Sequence, residues 1–306
     1  MKSQLAQLLA SASLASAQIA AKPPTGEQYS PIPLKTLSQN STSVNIATYQ
    51  TDTSLYYLGY DGVDWSRPFA KYWQPAEEAI SEEAAKGITE SPFASRLVYK
   101  PHEAPQYFTQ PGYLGLENGW AVDDDGMLMI SIRTDMNNVT GDMYDWWFGW
   151  HLVDSQRYKL WHPLAHQYAY RVPNTVDFSN KTLPERYIGT YSWIDEYLGN
   201  NATKLTINFV DPTSVGFNTS AFDSQGIETI VTARINNGHT TNVTGNSYLM
   251  HQIRRKDDGT RELRSRFFFD VYTDNMAHDL AVHCAVEMSH LATFLPELHA
   301  EFKDTV

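Results

Sequence analysis

Cysteine is nearly absent. One residue, Cys284, stands in 306, so no intramolecular disulfide can form. Taken alone, that leans towards a reducing compartment. Positive charge is also scarce: 23 Lys and Arg face 35 Asp and Glu, for a formal net charge of -12. No run of Lys or Arg occurs, and an anionic surface repels phosphate backbones, so nucleic acid is not an expected partner. Beyond the N-terminus no apolar stretch is long enough to span a bilayer, so a membrane is not an expected partner either. Internal repeats are lacking.

Aromatic residues are plentiful, at 13% with 8 Trp and 18 Tyr. Such a composition excludes a disordered chain. It fits a pocket for a ring-shaped ligand or simply an aromatic core, and composition does not separate the two. Residues 1–21 carry Lys2 followed by a small, apolar stretch that resembles a secretory signal. Asn-x-Ser/Thr sequons begin at Asn40, Asn138, Asn180, Asn201, Asn218 and Asn242. These two features outweigh the cysteine count, and the expectation is a secreted or secretory-pathway glycoprotein.

The pattern divides into a signal at 1–21, an N-terminal leader and irregular lobe at 22–125, and a catalytic unit at 126–306. Residues 22–45 are rich in Pro, Ser, Thr and Gln. Residues 75–87 favour a surface helix, and 92–111 suit a loop. Strands are expected at 127–133, 166–172, 187–198, 204–210 and 227–235. A hairpin joins 247–255 to 261–271 around Gly259. A short aromatic helix is expected at 142–152. A long one at 275–302 should kink or end near Pro296. Strands followed by one long helix imply an α+β fold.

Candidate chemistry concentrates in a few segments. In AVHCAVEMSHL (281–291), His283 and Glu287 lie four apart on one helix face, and His290 is close to it. Such a pair can hold zinc, although alone it is more often a helix salt bridge. YKLWHPLAH offers His162 and His166 at the start of a strand. In WIDEYL, strand alternation puts Glu196 on the face of Ile194 and Leu198, where a carboxylate is costly unless paired or metal-bound. Asp195 should point the other way, into solvent. His251 shares a face with Leu249 and Ile253, either as a core histidine or as a reactive one.

WWFGWH, SQRYKLWHPLAH, the IDEY strand, RSRFFF and VHCAVEMSHLATFLP together resemble the 2,4-diacetylphloroglucinol hydrolases and their phloretin hydrolase relatives, from about Gly126 to Phe302. The resemblance implies a helix-grip arrangement, like that of the Bet v 1-like birch-pollen-allergen proteins: a curved antiparallel sheet packed on the long C-terminal helix. It implies a zinc ion (Zn2+) held by His166, Glu196, His283 and Glu287, with His162 competing for the first position. Tyr158 is then expected to orient the oxygens of a small aromatic acyl-phenol, and His251 to act as acid or base. Two positions depart from the family pattern. Ala169 stands where an asparagine is expected, and Phe267 where a tyrosine is expected. Both lose a hydrogen-bonding group in the substrate-binding wall and leave the metal set intact. The implied reaction is hydrolysis of the bond between an acyl carbon and a phenolic ring carbon. A binding protein for an aromatic polyketide, or a cyclase or isomerase, is the rival reading on the same scaffold. A monomer and a homodimer both stay open.

Overall fold

The computed structural model describes residues 57–172, 175–243 and 245–305. The expected signal, the leader at 22–45 and Asn40 lie outside the described residues. Eight strands form one antiparallel sheet: β1 (Gly119–Val122), β2 (Leu128–Asp135), β3 (His166–Arg171), β4 (Tyr191–Leu198), β5 (Asn201–Val210), β6 (Ile227–Asn237), β7 (Tyr248–Arg255) and β8 (Arg261–Phe269). Their order is β1-β2-β8-β7-β6-β5-β4-β3. Among the described residues five α-helices accompany them: α1 (Glu82–Glu90), α2 (Ala104–Tyr107), α3 (Gly141–Trp150), α4 (Ser155–Tyr158) and α5 (Asp274–Phe302).

Helix α5 touches β1 and β2 near one edge of the sheet and β4 near the other. A flat sheet would hold these strands some 25 Å apart at about 4.8 Å per strand, so the sheet must curl around the helix. This is the expected α+β helix-grip architecture. Alternating strand residues divide the apolar groups between the two sheet faces. Leu128, Ile130, Val231, Leu249 and Phe267 face inward onto α3 and α5. Met129, Ile230, Met250 and Phe268 face outward and are covered by Tyr99, Phe108 and Leu116 from the N-terminal segment and by Phe217 and Phe222.

That outer cover is pinned by charge. Glu117 meets Arg264 at 2.6 Å and Arg266 at 2.5 Å, both guanidinium groups fully buried. Burial alone would raise the Glu117 carboxyl, but the two arginines outweigh it and hold the group down at about 2. β1 belongs to this sheet although it lies N-terminal to residue 126, because Trp120 joins the inner core and Ala121 the outer one.

Caps set the helix starts. Thr273 accepts from Met276 N–H and Thr140 from Met143 N–H. Ser81 caps α1 in the same way, so the helix begins at Glu82 and not at Pro75. The stretch expected to be a loop contains the short helix α2. Helix α5 does not end at Pro296 but runs through it to Phe302. Losing the bond from residue 296 to the Ala292 carbonyl is offset by burial of Leu295 just before it and of Leu298 and Phe302 beyond it. Gly259, at φ 83, turns the β7–β8 hairpin. No described helix is long and apolar enough to cross a membrane.

Candidate metal centre

His166 opens β3 directly opposite Glu196 on β4. A bulge follows between His166 and Tyr168. It shifts the alternation by one, so that His166 and Ala169, three apart, both face inward. From the other side, α5 presents His283 and Glu287 one turn apart. All four side chains are buried.

The histidine tautomers follow from their partners. His166 Nδ1 lies 3.0 Å from the Tyr158 carbonyl and His283 Nδ1 lies 3.1 Å from the Tyr197 carbonyl. A carbonyl only accepts, so both Nδ1 atoms carry the hydrogen and both Nε2 atoms carry lone pairs. These two Nε2 atoms face each other at 3.3 Å. Glu196 Oε2 is 3.6 Å from the first and 3.8 Å from the second. Glu287 Oε2 is 3.6 Å and 3.7 Å away. Two facing lone pairs repel unless a cation lies between them. A tetrahedral zinc shell spaces its ligand atoms about 3.4 Å apart. The donor set therefore fits a divalent ion in both spacing and chemistry, and His166, His283 and Glu287 together satisfy the spacing of a metal cluster.

Burial pushes the Glu196 carboxyl up to about 7 and the Glu287 carboxyl well above the usual range. It pushes both histidines well below theirs. Each shift favours the uncharged form, as expected for two histidines and two carboxyls enclosed together.

Tyr158 stacks on His166 with ring centroids 3.7 Å apart, and its hydroxyl donates to Glu196 Oε2. His162 stands outside the cluster, with its ring 4.5 Å from that of His283. Its Nδ1 meets Glu77, which the N-terminal lobe brings in. His290 is buried close by, with Nε2 unpartnered among the described residues.

Further along the inner face, His251 Nδ1 is 2.8 Å from Ser265 Oγ, its cross-strand partner on β8. Burial pushes His251 down to about 3, so it rests neutral. Its ring meets Phe267 edge-on at 5.5 Å and stacks over Phe148 at 6.2 Å. Ser265 also faces the Cys284 thiol on α5, next to His283. The sequence did not single out Ser265, although strand alternation puts it on the face of Phe267.

Asp195 corrects one expectation. It is buried, not solvated, because His239 reaches it at 2.6 Å and Lys204 also pairs with it. His239 arrives from the β6–β7 connection, over 40 residues away in sequence, where no local pattern announced it.

A family model described as DAPG hydrolase PhiG domain matches residues 102–273. A 2,4-diacetylphloroglucinol hydrolase of Pseudomonas protegens (strain DSM 19095 / LMG 27888 / CFBP 6595 / CHA0) is 28% identical over 269 residues, covering 78% of this chain and 85% of that one. A phloretin hydrolase of Eubacterium ramulus is 30% identical over 206 residues, covering 61% and 73%. Among solved structures, the crystal structure of Ara h 8.0201 aligns with a TM-score of 0.36 and 11% identity, over 56% of this chain and 99% of that chain. The matched family and the two hydrolase relatives lead to one conclusion: this chain belongs to the DAPG hydrolase PhiG domain family and is a hydrolase of that family.

Proposed function

We propose that the protein is a zinc-dependent hydrolase that cleaves the carbon–carbon bond between an acyl group and a phenolic ring carbon. The observation that carries this reading is the pair of Nε2 lone pairs 3.3 Å apart, flanked by two buried carboxylates. A zinc ion held by His166, Glu196, His283 and Glu287 supplies a Lewis acid toward the acyl carbonyl or a more acidic water.

The chain's own residues address the harder problem, a carbon leaving group. A bare aryl anion cannot depart at neutral pH, so the ring carbon must be protonated first. His251 rests neutral and can take the proton of a ring hydroxyl. As imidazolium it returns that proton to the acyl-bearing carbon, which yields the keto tautomer. Ser265 fixes the imidazole orientation during both transfers. Water then adds to the acyl carbon. The carbon–carbon bond breaks with its electron pair moving into the ring as a phenolate, and a carboxylic acid is released. Tyr158, whose hydroxyl hydrogen is directed to Glu196, keeps its oxygen lone pairs for a substrate hydroxyl. Ala169 and Phe267 line the pocket without polar groups, which favours an apolar acyl or aryl substituent there.

The experiment is to incubate the zinc-loaded protein with acylphloroglucinols and assay the released carboxylic acid. Acid release that disappears with the metal supports the reading; conversion without acid release would assign a cyclase or isomerase instead.

The protein is also a secretory-pathway glycoprotein in this reading. Asn138, Asn180, Asn201, Asn218 and Asn242 are all exposed, as glycan acceptors must be. Expression in a eukaryotic secretory host followed by endoglycosidase treatment tests it, and an unchanged mobility would refute it.

A further inference from the structure

Trp147, His151, Tyr158 and His166 form a column of nearly parallel rings running from α3 to the metal centre. Centroids are 4.5 Å apart for Trp147 and His151, 6.1 Å for His151 and Tyr158, and 3.7 Å for Tyr158 and His166. His151 also meets Phe148 edge-on at 5.2 Å, and Phe148 in turn stacks on His251. His151 thus stands between the groups assigned to the ring hydroxyls and the group assigned to proton transfer.

Its protonation pattern is fixed. Nδ1 lies 2.6 Å from the Trp147 carbonyl, so Nδ1 carries the hydrogen and Nε2 is an acceptor. The residue is fully buried, and Nε2 has no partner among the described residues. Burial also holds the imidazole neutral, at about 3. A buried acceptor left unpaired costs stability, and helix packing through Nδ1 gives no reason for it. Acyl-phenols carry the hydroxyl donors that such an acceptor needs.

We propose that His151 accepts a hydrogen bond from a ring hydroxyl of the substrate through Nε2 and so selects rings hydroxylated at that position. The inference rests on the acyl-phenol reading above and adds a specificity-determining residue to it.

The test uses the zinc-loaded protein, monoacetylphloroglucinol, and analogues in which one ring hydroxyl at a time is replaced by hydrogen. Binding is followed by tryptophan fluorescence and turnover by acid release. Wild type should bind one of these analogues on the order of 10- to 100-fold more weakly than the parent. His151→Phe should bind the parent that much more weakly and lose the discrimination. His151→Gln, which returns an amide oxygen, should recover part of it. Equal weakening of every ligand in both variants would overturn the inference, because that is a packing defect. If the Phe variant does not fold, the wild-type series still decides, since indifference to every hydroxyl overturns it. Wild type that discriminates yet releases no acid refutes the hydrolase reading alone. Acid release without discrimination refutes only the role of His151.

Discussion

At the metal centre, protons and a cation compete for the same ligand atoms. With no cation bound, Glu196 keeps its proton up to about pH 7. Below that pH a metal must displace the proton, and above it the carboxylate is free. Metal retention during dialysis should therefore fall steeply as pH drops from 8 to 5, and retention independent of pH would contradict the ligand assignment. The sign for stability is opposite in the metal-free protein. A carboxyl raised from its ordinary value of 4.5 stabilises the fold below that value and loses the contribution as pH rises through about 7. The thermal midpoint of the metal-free protein should thus decline between pH 5 and 7, as calorimetry would report. His251→Asn should lower turnover on the order of 100-fold with zinc content unchanged. Loss of zinc in that variant would give His251 a ligand role instead.

Residue types and short spacings exposed much of this site in the sequence. His283 and Glu287 announced themselves by helical spacing, and Glu196 by a charge on an apolar strand face. The choice between His162 and His166 did not, because His162 lies in the turn before β3 and meets Glu77 there, a partner that only the fold brings in. Ser265 and Glu77 matter through partners on other elements, so only the fold brings them into view.

Between elements, the most consequential contact is the one that seats the N-terminal cover on the sheet. Glu117→Gln removes the only carboxylate that Arg264 and Arg266 share among the described residues and leaves two buried guanidinium groups without a charge partner among them. It should destabilise the protein by about 3 kcal/mol, read from denaturant unfolding. The native Glu117 is depressed to about 2, so its contribution is present above pH 4.5 and lost as pH falls through 2. The variant should show a shallower acid transition over that range; an unchanged midpoint would mean that the arginines are satisfied in another way. Most strands, the short aromatic helix α3 and the long helix α5 were legible from alternation and helical periodicity. β1 was not, because four residues give too little alternation to separate a strand from a loop. The span of α5 to Phe302 was legible as well, but that it does not stop at Pro296 depends on apolar partners that the local sequence does not show.

For the whole molecule, one group of four candidate ligands joins the two halves of the architecture: His166 and Glu196 come from the sheet, His283 and Glu287 from the helix. A metal that binds only this folded arrangement stabilises it by mass action. Zinc at about a hundredfold over its dissociation constant should add roughly 2.7 kcal/mol, so chelation should lower the thermal midpoint by several degrees. Determining zinc per chain in purified wild type and in Glu287→Ala tests the central claim most directly. The account predicts about one zinc per wild-type chain and its loss in the variant. A folded wild type that takes up no zinc, or a variant that binds it equally well, would contradict it.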